Sequence, residues 1–123
     1  IADDTARAHE IVWQATEAGL AAARPGATFA DLFHAMQNAL SAGGAAEGNV
    51  GRLGHGLGMQ LTEHPSITPW DRTVLEPGLV LTLEPGMEFA PGRMLVHEEN
   101  IVLRADGAEL LSARAPEALP ELT

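Results

Sequence analysis

Residue types able to do chemistry gather in three short strings of this chain. His55 stands among glycines in Gly54-His55-Gly56-Leu57-Gly58, inside LGHGLGMQLTE (53–63). Glu84 closes the apolar run LVLTLE (79–84), just before Pro85-Gly86. Glu98 and Glu99 lie inside LVHEENIVL (95–103). A histidine between glycines has no bulky neighbours, so another backbone or a ligand approaches it closely. An imidazole and carboxylates carried on separate strand-like runs form a donor set suited to a divalent cation. The bland alternative for His55 is a glycine-rich turn with a histidine at its edge, and the motif alone leaves the two readings even.

The carboxylates are equally open. Val80, Thr82 and Glu84 share one face of their run, and Leu79, Leu81 and Leu83 share the other. Glu84 therefore either points into a cavity beside Thr82 or is an idle surface group at a Glu-Pro-Gly turn. Glu98 shares a face with Val96, Asn100 and Val102, while Glu99 shares the opposite one with His97, Ile101 and Leu103. Acidic residues are disfavoured within strands. Periodicity does not choose which of the two faces inward, and charges guarding an edge strand are the other reading.

Several chemistries are excluded. The Gly-x-Gly-x-Gly spacing is followed by no Lys-Ser/Thr and opens no helix, so it is not a phosphate loop. HEEN lacks the second histidine of a zincin helix. Ser41, Ser66 and Ser112 have no nucleophile-elbow context. His9 and His34 fall on predicted helices, as surface or rim residues. There is no cysteine, which removes disulfides, thiolate metal sites and cysteine nucleophiles.

The elements that position these groups follow from pattern. Asp3 and Asp4 are N-cap candidates, and Ile11, Ala15, Ala18 and Ala22 recur at helical spacing, with Val12 and Gly19 beside them. This predicts a helix from about Asp4 to Ala23, stopped by Arg24-Pro25-Gly26. Thr28-x-x-Asp31 is a capping box for a second helix with a core stripe of Phe29, Leu32, Phe33, Met36 and Leu40. Ala42–Gly54 reads as a loop. Beyond it come strands: Leu57–Thr62, Leu79–Glu84 ended by Pro85-Gly86, Met94–Arg104, and Ala108–Ser112 returning antiparallel from a turn at Ala105-Asp106-Gly107. The tail from Arg114 carries two prolines and is expected on the surface. Helices followed by strands give an α+β fold with a mixed or antiparallel sheet.

At 123 residues the chain is one domain at most, or part of one. A net charge of −10, from 7 basic and 17 acidic residues, argues against nucleic acid and against anionic membranes. No apolar run approaches the roughly 20 residues of a membrane span. The lack of cysteine fits a cytoplasmic location. Ile1 is not a start methionine and a helix begins almost at once, so the chain reads as a piece of something longer.

Four strings, taken in order, are ARPGATFADLF (23–33), RLGHGLGMQLTEHPSI (52–67), LEPGLVLTLEPGM (75–87) and MLVHEENIVLRADGAELLS (94–112). Together they resemble the second half of the catalytic domain of the creatinase/prolidase/methionine aminopeptidase family, the "pita-bread" metallopeptidases. The resemblance covers essentially the whole chain. It implies two helices packed on the sheet, the later half of a pita-bread fold, with residues 1–123 a partial domain whose upstream part is missing. It implies that His55, Glu84 and Glu98 are metal ligands, that Glu98 bridges two metals, and that Glu84 also shuttles a proton. The choice of Glu98 over Glu99 comes from the gapless match of ENIVLRADGAELLS to the family pattern. The family's other two ligands are aspartates on strands that precede the first helix seen here. The intact enzyme is thus expected to hold two divalent ions (Mn²⁺, Co²⁺, Fe²⁺ or Zn²⁺). This chain alone would hold at most one, weakly, and would lack useful activity.

The family's peptidases carry a further histidine near the substrate, where this chain has Thr62; His64 lies two residues on. Both are taken as substrate-binding candidates. The implied activity is that of a metal-dependent Xaa-Pro aminopeptidase or prolidase, acting on a peptide. The alternatives are an enzyme on a non-peptide substrate (an ectoine- or creatine-type amide, or a sulfonium compound in a lyase) and a non-catalytic pita-bread domain that binds protein. A sheet edge left by the missing strands would favour self-association as a homodimer.

Overall fold

A computed structural model describes residues 3–45, 52–57 and 63–119, with the side chains of residues 63 and 64 outside that description. The first helix, α1, runs Asp3–Ala22, with Asp3 and Asp4 in the first turn where the helix dipole favours anions. Its buried residues are Ala8, His9, Val12, Ala15, Thr16 and Gly19. That face is turned about one residue from the Ile11–Ala15–Ala18–Ala22 stripe predicted from spacing. The reason is close helix packing: a Cβ at Gly19 would lie 2.9 Å from Met36 Cγ. Gly19 lets α1 meet α2 at Met36, while the half-buried Ile11 packs on Gly43 at the end of α2.

Helix α2, Phe29–Ala42, starts where the sequence places it. Thr28 Oγ1 accepts the Asp31 N–H at 3.1 Å and Asp31 Oδ2 accepts the Thr28 N–H at 2.9 Å, closing the capping box. Phe29, Leu32, Phe33, Met36 and Leu40 are all buried, as their spacing predicts.

Among the described residues seven strands follow: β1 (His55–Gly56), β2 (Glu63–Ser66), β3 (Val80–Leu83), β4 (Gly86–Ala90), β5 (Arg93–Val96), β6 (Glu99–Arg104) and β7 (Gly107–Leu110). Five form a sheet in the order β2-β1-β3-β6-β7, and β4 pairs with β5; every pairing is antiparallel. Leu81, Leu83, Ile101 and Leu103 are fully buried and join Val12, Phe29, Leu32 and Met36 in one core. At about 1.5–3 kcal/mol for each large apolar side chain removed from water, this seam of strand and helix residues dominates the stability of the fold. The architecture is α+β, two helices on an antiparallel sheet. Among the described residues no helix is long and apolar enough to cross a membrane.

Two differences from the predicted strands share one cause. The run Met94–Arg104 divides into β5 and β6, and Gly86–Ala90, beyond the Pro85-Gly86 stop where no strand is predicted, is itself a strand. Leu83 faces Glu99 across β3 and β6, and Gly86 faces Val96 across β4 and β5. The register is therefore continuous, and the two pairs between are Glu84/Glu98 and Pro85/His97. Pro85 has no N–H to give. Only one bond crosses there, from the His97 N–H to the Pro85 carbonyl at 3.0 Å. A long two-stranded ribbon is thus notched at one place, and that place holds two glutamates.

The predicted strand Leu57–Thr62 falls largely outside the described residues. Residues 114–117 lie at the surface, as expected, and are bonded to α1. Trp13 Nε1–H donates to the Ala115 carbonyl at 2.9 Å, and Gln14 Nε2–H donates to Glu117 Oε2 at 3.2 Å.

Candidate active site

Of the predicted site residues, His55 and Glu84 meet on the sheet face opposite the helices, and Glu98 lies across the ladder from Glu84. Gly56 faces Leu81, so His55 lies beside Thr82, which in turn faces Asn100. Residues paired directly across antiparallel strands project to the same side. His55, Thr82 and Asn100 form one row, and Glu84 and Glu98 occupy the next pair along.

Gly54 is what allows the first strand to come so near. Its φ is +147°, and a Cβ there would lie 2.1 Å from the Thr82 carbonyl oxygen, so only glycine fits. Close contact continues on both sides of His55: the Glu84 N–H donates to the Leu53 carbonyl at 2.7 Å, and the Leu57 N–H to the Val80 carbonyl at 2.9 Å.

His55 is 7% exposed. Its Nε2 lies 2.9 Å from Glu84 Oε2. Thr82 joins the two residues: its Oγ1 accepts the His55 backbone N–H at 3.1 Å and donates to Glu84 Oε2 at 2.7 Å. The other ring nitrogen, Nδ1, lies 2.9 Å from the Gly56 carbonyl. A carbonyl only accepts, so Nδ1 carries the proton and the neutral ring presents its Nε2 lone pair to the carboxylate. Two acceptors then meet at hydrogen-bond distance. Either a second ring proton or a cation must lie between them. A histidine that gives Nδ1–H to a backbone carbonyl and offers Nε2 outward is the usual arrangement of a metal-ligating imidazole.

Glu98 adds to this. In the ladder, bonded pairs alternate with unbonded ones whose Cα atoms are closer. The Leu103 N–H bonds to the Leu79 carbonyl and the His97 N–H to the Pro85 carbonyl, which makes Glu84/Glu98 one of the unbonded pairs. Two carboxylates facing across such a pair repel unless a cation joins them. The donor set and its placement therefore fit a divalent metal. Glu98 is exposed, and among the described residues no three His, Cys, Asp or Glu side chains already converge at metal-holding distances. Glu99 turns the other way and is buried; its Oε2 accepts the Ala115 N–H at 3.3 Å. Thr62 lies outside the described residues, and of His64 only the backbone, in β2, is described.

A family model for the metallopeptidases of family M24 matches residues 1–105. The chain belongs to this family. M24 relatives include a curated Xaa-Pro dipeptidase of Pyrococcus furiosus, 32% identical over 111 residues; the match covers 90% of this chain and 32% of that protein. Among solved M24 structures, the dipeptidase PepE of Mycobacterium ulcerans superposes with a TM-score of 0.87 at 33% identity, covering 96% of this chain and 32% of that one. The X-Pro aminopeptidase of Thermotoga maritima superposes with a TM-score of 0.85 at 30% identity, covering 95% and 33%. The fold is that of the M24 pita-bread enzymes, and the chain spans about a third of the length of these relatives.

His9 is the residue whose environment the sequence concealed most. Predicted at the surface or rim, it is 5% exposed. Its ring meets His97 edge-on at 4.5 Å between centroids. Burial, and then the neighbouring His9 imidazole and Arg114 guanidinium, hold the His97 pKa below the usual histidine value. His34 is exposed, as expected.

Proposed function

We propose that this chain supplies part of the active site of a metal-dependent M24 peptidase that cleaves Xaa-Pro dipeptides or a related proline-containing peptide bond. The observation that carries the reading is the His55 Nε2–Glu84 Oε2 approach at 2.9 Å with Nδ1–H committed to the Gly56 carbonyl. The Xaa-Pro preference is supported by relatives named as an Xaa-Pro dipeptidase and an X-Pro aminopeptidase.

His55, Glu84 and Glu98 are the residues that would hold the metal. Ligands from outside this chain would complete a two-ion centre of Mn²⁺, Co²⁺, Fe²⁺ or Zn²⁺. Bound there, divalent ions supply an acidified water and a Lewis acid for the scissile carbonyl. The remaining work belongs to side chains. Glu84 takes the proton of the attacking water and returns it to the leaving amine, a role that needs a carboxylate within hydrogen-bond reach of both. Thr82 orients Glu84 by occupying one lone pair of Oε2, which leaves Oε1 for the proton. His55 stays in one tautomer because the Gly56 carbonyl fixes its Nδ1–H. Thr62 and His64 flank the substrate.

The deciding experiment is Glu84→Gln in the intact enzyme, with Xaa-Pro dipeptides as substrates. Turnover falls by at least about 10²–10⁴-fold, the usual weight of an acid–base group, while metal is partly retained. Unchanged turnover sinks the reading. Calorimetric titration of the present chain with Mn²⁺ is expected to give at most one weak site, and two tight sites would contradict the assignment of further ligands to another segment.

A further inference from the structure

Glu98 is gripped through both of its chain neighbours, by groups that the candidate site does not use. Alternation turns His97 and Glu99 away from the site, toward α1 and the tail. The Glu99 carboxylate accepts the backbone N–H of Ala115 at 3.3 Å. His97 Nε2 lies 3.1 Å from His9 Nδ1, and His9 Nε2 lies 2.8 Å from the Pro116 carbonyl. That carbonyl only accepts, so His9 Nε2–H donates to Pro116; with a neutral His9 ring, His97 Nε2–H donates to His9 Nδ1. The same His97 gives its backbone N–H to Pro85, the residue after Glu84.

The tail is itself firmly seated. The Arg114 guanidinium stacks 3.8 Å above the Trp13 ring, donates to the Trp13 carbonyl at 2.9 Å and pairs with Glu17. Trp13 Nε1–H holds the Ala115 carbonyl at 2.9 Å. Four consecutive tail residues, 114–117, thus bond to α1; Ala115 also bonds to Glu99, and Pro116 reaches His97 through His9.

We propose that residues 114–117 form a positioning strap for Glu98. The proposal rests on the reading of Glu98 as a metal ligand. Pro85 leaves one ladder bond at this notch, and like charge pushes the Glu84 and Glu98 carboxylates apart. Backbone pairing alone therefore holds Glu98 poorly. The strap adds two side-chain tethers, one on each side of Glu98 along the chain. They keep its Cα in register opposite Glu84, so that less ordering remains when metal binds. Glu99, His97 and His9 act through Glu98 and are positioning residues.

The test uses the intact enzyme and Mn²⁺ as the probe. Glu99→Leu removes the acceptor for Ala115, and Glu99→Gln keeps one. With Glu99→Leu, Mn²⁺ affinity measured by calorimetry falls about tenfold, the scale of losses when an outer partner of a metal ligand is removed. In the metal-free protein the His97 amide, protected by its bond to Pro85, exchanges faster. The kcat falls while KM holds. Glu99→Gln restores all three. Trp13→Phe keeps the stacking surface but loses the bond to Ala115; it shows the same direction with a smaller effect, and it serves if Glu99→Leu does not fold. Leu40→Ala, a core change in α2, lowers Tm but leaves Mn²⁺ affinity unchanged. The strap is overturned if Glu99→Leu and Trp13→Phe bind Mn²⁺ as the parent does while Glu98→Gln weakens binding. If Glu98→Gln leaves binding unchanged, the ligand assignment itself fails and the strap goes with it.

Discussion

The two faces of β3 are built from alternate residues of one six-residue string, yet they obey different rules. Leu81 and Leu83 point toward the helices and are fully buried in the apolar core. Thr82 and Glu84 point the other way, where polar atoms are tied to one another: Thr82 to the His55 backbone and to Glu84, and Glu84 to the His55 ring. The helix side is held by area and fit, and tolerates apolar exchange of similar volume. The site side is held by direction, and a single missing donor leaves a buried group unpaired. One strand can carry both because its side-chain period is two. The helix side anchors the backbone, and the site side uses the resulting rigidity.

Substitutions on alternate residues should separate the two faces. Leu83→Ala is expected to cost about 2–5 kcal/mol of folding stability by leaving a cavity in a close-packed core; denaturant unfolding measures it. Gly54→Ala breaks the comparison from the site side, since the added Cβ collides with the Thr82 carbonyl and parts β1 from β3. A loss of about 1–3 kcal/mol is expected for such backbone strain, together with loss of metal binding. Thr82→Val preserves shape but leaves the buried His55 N–H without its acceptor. It should cost about 1–3 kcal/mol and, unlike Leu83→Ala, lower turnover of the intact enzyme per folded molecule; Thr82→Ser should recover most of both. Equal turnover for Thr82→Val and Leu83→Ala, corrected for folding, would erase the distinction. The smallest effect belongs to the far end of the core: Thr28→Ala opens the capping box of α2 for about 1 kcal/mol, with no change at the site.

What was legible in the residues was whatever repeats locally. The capping box at Thr28/Asp31, the α2 stripe, the alternation of LVLTLE and the Asp106-Gly107 turn are all short-range signals, and each matches the structure. The approach of His55 to Glu84 was foreseen from residue type and from the family resemblance. Three features escaped. The buried face of α1 was displaced because Gly19 and the alanines mark close helix contact, which hydrophobic spacing does not weigh. The strand after Pro85 was hidden because Pro-Gly normally closes a strand; here it only notches one. The seating of the tail left no local trace, because Trp13 and His9 meet residues more than a hundred positions away.

Pro85 has a consequence beyond breaking a strand. A ring that removes one N–H from a ladder creates a place where the ribbon is joined by a single stitch rather than two. Twist and shear therefore concentrate at that spot. Replacing Pro85 with a residue that donates would sew the ribbon shut, stiffening it at the one point where two carboxylates must adjust to whatever sits between them. An imino acid chosen against the local demand for pairing thus gives this scaffold a built-in joint beside its two carboxylates.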